Sequence, residues 1–389
     1  MNKLSLAAVA ALVSLQGQAL AADDALLASL NDANTRALAY NLNAESSLKI
    51  SAQTQFQYNI NLRDDDTLGD DDTTIGFQMR RTRVNIENQV TDSIKAKIQF
   101  EFAREGGDGE MLEAYADWTV NDSLKLRIGQ QKVHFWRETT LGSTKQLTAE
   151  ESVTSSVFTQ GYAQMVEAAF GGDSWRGWVS FSDGFDSRNT SFDSSDEADY
   201  ALTGRAEFKF GDADWKQFDQ YTSWRGAASG GMVGVAAHWQ TAGDTNPSSS
   251  SSTDTFSVTA DFSWVADGWN AAIAGVWRSV DDGSTDQDDY GILAQAGVFL
   301  SDQFELFGRY DVVLTDDDLS ADDFSTVTGG FNYYITPESH AAKFTMQVAY
   351  YLDAVDLTGG VVSPSDGLHL LADGEDGQIA LTTQLQLLF

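Results

Sequence analysis

The chain has 389 residues, with 24 Lys plus Arg against 58 Asp plus Glu, a formal charge of -34 and no cysteine. That balance argues against nucleic acid as a partner, because sequence-independent binding needs a net basic face, and the lack of cysteine excludes disulfides, zinc ribbons and thiol nucleophiles. With 42% hydrophobic and 11% aromatic residues this is no disordered acidic tail, and 33 Gly against 3 Pro suits many strands joined by turns.

Met1-Asn2-Lys3 followed by the apolar run Leu4 to Leu15 and the small-x-small pattern Ala19-Leu20-Ala21 reads as a secretory signal peptide over residues 1–21. The mature chain is then exported. Residues 22–47 do not alternate; Leu26, Leu30, Ala33 and Ala37 fit a short amphipathic helix, read as a periplasmic extension. No later stretch approaches the roughly 18 apolar residues of a membrane-spanning helix. An exported chain of this kind is either soluble or a closed barrel, the other architecture that satisfies every backbone group in lipid.

Residues 48–389 alternate with period two. Leu48, Ile50, Ala52, Phe56 and Tyr58 oppose Lys49, Gln53, Gln55 and Gln57; Ile94, Ile98, Phe100 and Phe102 oppose Lys95, Lys97, Gln99 and Glu101. Phe208 and Phe210 oppose Arg205, Glu207 and Lys209, and at the end of the chain Leu381, Leu385, Leu387 and Phe389 oppose Gln384 and Gln386. There are about sixteen such segments, each near the roughly 9–11 residues of a tilted membrane strand. The fold expected is all-β: a transmembrane antiparallel barrel of about 16 strands, porin-like in form. Short turn signals (92–93, 121–123, 171–173, 266–268, 301–303, 337–339) alternate with long stretches (63–73, 104–111, 132–160, 183–199, 240–254, 279–289, 315–325, 353–376). That sorting is the mark of short periplasmic turns and long outer loops. Residues 211–231 break it, and predict a local extension or an aromatic cluster at the lipid interface. A parity slip between Met79 and Val84 predicts a bulge that leaves the facing of Arg80 and Arg81 open.

Charge is sorted too. Asp runs (64–66, 70–72, 281–282, 286–289, 316–318, 322–323) fall in the long loops. Arg81, Arg83, Lys95, Lys97, Lys125, Arg127, Arg205, Lys209, Arg309 and Lys343 fall on the polar face of strands, the lumen of a barrel. Rings of such cations favour anions; the competing reading is that they pair across strands with Glu101, Glu113 and Glu207.

Gly76-Phe77-Gln78-Met79-Arg80-Arg81-Thr82-Arg83-Val84, Leu126-Arg127-Ile128-Gly129-Gln130-Gln131-Lys132-Val133-His134-Phe135, Leu306-Phe307-Gly308-Arg309-Tyr310-Asp311 and Gly330-Phe331-Asn332-Tyr333-Tyr334-Ile335 together resemble the phosphate-selective porin O and P family. Phe389 after alternating apolar residues is similar to the assembly signal of outer-membrane barrels. The resemblance covers 47–389. It implies a 16-stranded homotrimer in the outer membrane of a Gram-negative-type bacterium, with lipids, small ions and solutes, phosphate among them, as partners. It also implies a third outer loop that folds inward, here 132–160, with Lys132, His134, Arg137, Lys145, Glu138, Glu150 and Glu151 at the constriction. The serine tract 248–252 and the acidic loops depart from the family's phosphate-selective members, which carry an Arg ladder and a Lys cluster.

The expected function is passive diffusion of small hydrophilic solutes with an anion preference, with no cofactor, metal or catalytic residue. Two alternatives compete with it. One is an outer-membrane protease or phospholipase, for which Asp183 and His134 are the loose candidates. The other is a secreted soluble β-protein binding carbohydrate through its Trp residues. The acidic loops also admit a calcium reading around Asp281, Asp282 and Asp286, against the simpler reading of solvated loop charge.

Overall fold

The computed structural model describes residues 47–63, 73–102, 107–194, 197–242, 253–316, 323–355, 362–365, 367–372 and 374–389. The expected signal peptide, nearly all of the 22–47 extension, the serine tract and the Asp runs at 64–66 and 70–72 lie outside these residues. The chain from Lys49 onward is one compact unit.

Sixteen strands form it. The first eight are β1 (Lys49–Leu62), β2 (Thr73–Gln89), β3 (Ile94–Phe102), β4 (Gly109–Asn121), β5 (Leu124–Lys132), β6 (Tyr162–Gly171), β7 (Trp175–Ser182) and β8 (Tyr200–Gly211). The second eight are β9 (Gly230–Ala242), β10 (Thr253–Ala266), β11 (Trp269–Asp281), β12 (Asp286–Phe299), β13 (Phe304–Leu314), β14 (Phe324–Tyr334), β15 (Ala342–Tyr351) and β16 (Ile379–Leu388). Each pairs antiparallel with its sequence neighbours, and β1 closes on β16, so the barrel has no free edge. The closure places Gln55 opposite Gln386 and Gln57 opposite Gln384, and each pair shares an amide hydrogen bond of 2.9 Å.

Alternation sets the two faces. Phe77 is 72% exposed and Phe208 53%, on the outside, whereas Gln55 and Lys343 are fully buried on the inside. This is the arrangement of a barrel with apolar side chains toward lipid. Aromatic pairs mark two belts: Tyr200 with Trp239 and Phe256 with Trp277 near the long loops, Phe304 with Phe331 and Phe331 with Phe344 near the short turns. The bulge falls where parity slipped: Gln55 pairs with Arg81 and Phe56 with Met79, leaving Arg80 as the extra residue.

Two expectations about loops change. The stretch 279–289 is not a long loop: β11 and β12 run on through it and join by a four-residue turn, 282–285. Asp282 closes that turn by accepting from the backbone N–H and hydroxyl of both Ser284 and Thr285, which holds its carboxyl below the ordinary range. The 212–229 connection is not a lipid-interface cluster. Phe218, Tyr221, Thr222 and Ser223 are buried, and their partners are inward-facing.

Candidate functional site

The connection 133–161, between β5 and β6, lies inside the barrel. It carries a short helix α1 (Arg137–Thr140), a 3-10 turn (Ser143–Lys145) and a second helix α2 (Val153–Phe158). One side of it is apolar: Val133, Phe135, Trp136, Val153 and Phe158 pack on Ala236, Ala274, Val276, Leu293 and Val313, which β9, β11, β12 and β13 turn inward. Glycines make room for this seat. A Cβ on Gly291 would stand 2.6 Å from Thr154 Cγ2 and 2.7 Å from the Phe158 ring, and one on Gly297 3.0 Å from Leu147. Val355, Val362 and Leu370 of the β15–β16 connection join the same cluster from the outer side.

Cations of the wall hold the loop's polar atoms. Arg309 Nη1 donates to Thr148 Oγ1 (2.8 Å), Glu150 O (2.9 Å) and Glu138 Oε1 (3.3 Å). Lys343 Nζ donates to Gln146 O at 2.9 Å, Asn332 to Leu147 O at 2.9 Å and Arg278 to Val157 O at 2.9 Å. Arg205 bridges Asp261 (2.7 Å), Glu207 (2.8 Å) and Phe135 O (2.9 Å). Arg137 of the loop itself reaches Ser263 Oγ (3.0 Å) and Phe218 O (2.5 Å). Glu138 ties the loop to itself: Ser152 donates to its Oε2 from both Oγ (2.5 Å) and N (3.1 Å). Burial pushes the Glu138 carboxyl up to about 7 against the pull of Arg309. Burial acts on Glu150 too, but Arg80 and Arg81 hold it down at about 2.

The loop leaves space on the opposite side. A cavity of about 360 Å³ lies between it and β2–β4, lined by Arg80, Arg83, Lys132, Glu101, Glu150 and Glu151. Each cation there has a carboxylate. Arg80 and Arg81 converge on Glu150 (2.7 and 3.0 Å), Arg83 grips Glu101 with two bonds (3.0 and 3.3 Å), and Lys132 sits 4.0 Å from Glu151. Arg188, also on the cavity, pairs with Glu110 at 2.9 Å. Toward the short turns the same wall continues with Lys95–Glu87 (2.5 Å), Lys97–Glu113 and Arg127–Asp117 (2.5 Å), Arg127 stacking over Tyr115 at 4.1 Å. His134 binds Glu167 (2.8 Å) and stacks on Trp178 at 4.6 Å.

The sequence-selected residues therefore divide. Arg83, Lys132, Glu150 and Glu151 meet at the cavity, and Lys95, Lys97, Lys125 and Arg127 line the open wall. Arg205, Arg309, Lys343 and Arg137 face inward but are buried, so they are loop anchors and not water-facing, whereas Arg81 stands on the cavity lining beside Arg80 with its guanidinium on Glu150. Lys209 lies at the short-turn end, donating to Ala213 O (3.0 Å), and Lys145 sits in the 3-10 turn. Sequence reading missed Arg176, Arg188 and Arg278. The first two stand singly, and Arg278 directly precedes the stretch read as loop. The seat itself had a signal: β11 and β12 are apolar on both faces at Ile273-Ala274 and Ile292-Leu293, which an aqueous lumen does not require.

A family model described as phosphate-selective porin O and P matches residues 50–374. No curated protein matches the chain in sequence. Among solved structures, the chain is similar in fold to an anion-selective porin from Comamonas acidovorans (11% identity, 88% of this chain and 99% of that one, TM-score 0.61). It is also similar to the trimer form of OmpT, an outer membrane protein of Vibrio cholerae (14%, 88% and 100%, 0.59), and to the outer membrane channel DcaP of Acinetobacter baumannii (12%, 87% and 96%, 0.53).

Proposed function

The chain belongs to the phosphate-selective porin O and P family and is an outer-membrane porin, and on that premise we propose that it passes small hydrophilic solutes by passive diffusion through the β2–β4 side of its lumen, with a weak anion preference. The observation that carries this reading is the charge-lined cavity left between the seated loop and that wall. Desolvated side chains of both signs replace part of a solute's hydration there. The preference is weak because a bare anion, phosphate included, must compete with a carboxylate for each guanidinium it meets. Arg83 and Lys132 are the selectivity residues we assign, and a homotrimer in outer-membrane lipid is the assembly. We assign no catalytic step. His134 is engaged with Glu167 and Trp178, and no hydrogen bond or ion pair joins it to Asp183 among the described residues.

The test is the reversal potential of the purified protein in a salt gradient across a planar bilayer. Arg83→Glu reverses one charge at the neck and is expected to lower the anion-to-cation permeability ratio roughly threefold or more, as a unit charge at short range does in a narrow pore. An unchanged ratio removes Arg83 from selectivity; a protein that never conducts removes the transport reading.

A further inference from the structure

At the barrel end where β1 begins and β16 ends, the connections run from two to seven residues, except between β8 and β9, where 212–229 is eighteen. There the strand ends already meet: Asp212 N donates to Ser229 O at 2.9 Å. A two-residue hairpin turn would close this gap. Instead 213–228 leaves the wall and returns. The exit is built for it, because Gly211 has a φ of +85° and a Cβ on Gly230 would stand 2.7 Å from Ala213 Cβ and 2.8 Å from Phe210 O.

The segment opens with a helical turn α3 (Trp215–Phe218), whose Asp214 and Gln217 form a capping box. Phe218 is buried against Ala213, Met232 and Val265. The chain then crosses the lumen. Tyr221 packs on Leu141 and Leu147 of the constriction loop and on Phe307 of β13. Thr222 Oγ1 bonds Tyr334 Oη of β14 at 2.9 Å, and the Trp224 ring stands edge-on to Tyr334 at 4.7 Å and beside Phe299 at 5.5 Å. Two hydrogen bonds join the segment to the loop above: the Arg137 guanidinium donates to Phe218 O (2.5 Å), and Tyr221 N donates to Lys145 O (3.1 Å).

We propose that 212–229 is an internal strut. It fills the lumen beneath the constriction loop on the side away from β2–β4, props that loop from below, and so fixes both the cross-section and the steadiness of the pore. A turn that served only to connect β8 to β9 has no reason to bury Tyr221 against a loop that enters from the opposite end. The proposal rests on the transport reading above, and its test separates the two.

The experiment replaces 213–228 by Asn-Gly in the full chain. Insertion is checked by the heat-modifiable mobility of folded barrels, and single-channel conductance and the size limit in liposome swelling are then compared with the parent. The expected result is a conductance about twofold higher and entry of larger sugars, because a sealed part of the lumen becomes water-filled. A folded variant with the parent's conductance and size limit overturns the strut, while parent channels that conduct keep the transport reading intact. Tyr221→Ala leaves the backbone in place and covers the case in which excision prevents insertion. It is expected to give more frequent transitions between conductance levels, and a trace as quiet as the parent's overturns the propping role.

Discussion

Arg309→Met removes the most highly connected anchor of the constriction loop while keeping most of the volume. Arg309 is 6% exposed, and its guanidinium serves Thr148 Oγ1, the carbonyls of Glu150 and Glu151, and the Glu138 carboxylate. Asp311, 3.5 Å from its Nε and fully buried, loses its cation as well. Removing one partner of a buried ion pair costs about 3–5 kcal/mol, because the remaining charge is left uncompensated in a poorly hydrated site. Most of that cost falls on the seated loop, since an unseated loop lets water reach Glu138 and Asp311. A loss of about 3 kcal/mol raises the unseated population by about two orders of magnitude. Single-channel recording is then expected to show excursions to higher conductance that the parent lacks. The anion-to-cation ratio of the main level is expected to stay near the parent value, because the guanidinium faces the loop and not the permeating water. A quiet channel with an altered permeability ratio would refute this account and return Arg309 to the pore lining, where its place on the polar strand face had put it.

Two further outcomes test the seat. Gly291→Val drives a side chain into the α2 residues Thr154 and Phe158, and overpacking of this kind costs about 1–3 kcal/mol; urea unfolding in lipid vesicles should show it, and conductance should become less steady. Glu138, raised by burial from 4.5 to about 7, favours the seated loop in full below its unfolded value and loses that contribution as pH rises through 7. Loop-linked current noise should therefore increase from about pH 5 to pH 8, and Glu138→Gln, which cannot ionise, should flatten the profile over that window; an equally steep profile in the variant removes Glu138 as its source.

The barrel was legible because lipid leaves the backbone few choices. Strand after strand must bond its neighbour and turn apolar side chains outward, so Phe56, Phe208 and Leu387 declare one face and Gln55, Arg205 and Gln386 the other. The bulge at Arg80 was legible for the same reason, as a break in parity. The β11–β12 stretch was misread because its strands stay paired through an Asp-rich sequence. Acidic residues there reflect wet or ion-paired surroundings, as in the buried Asp289–Arg278 pair (2.7 Å), and do not mark a loop. What alternation could not give is which polar residues meet water. Arg83 and Arg205 look alike in the sequence, yet one faces the cavity and the other lies beneath Phe135 of the loop. That difference depends on where residues far along the chain return, and no local pattern encodes it.

The lumen is better understood as a polar core than as a charged tube. A core of apolar side chains selects its packing by shape; in this one the returning loop decides which cations are covered. Cations that the loop covers, as Gln146 covers Lys343 and Val157 covers Arg278, fix the loop through its backbone carbonyls and keep their charge turned away from the path. Cations that meet carboxylates at the cavity, as Arg80 meets Glu150 and Arg83 meets Glu101, keep their charge beside the path but nearly cancelled. On the proposed reading, selectivity follows from the imbalance within pairs and not from the number of arginines. A single carboxylate lost at the cavity should shift ion preference more than the loss of any one buried anchor.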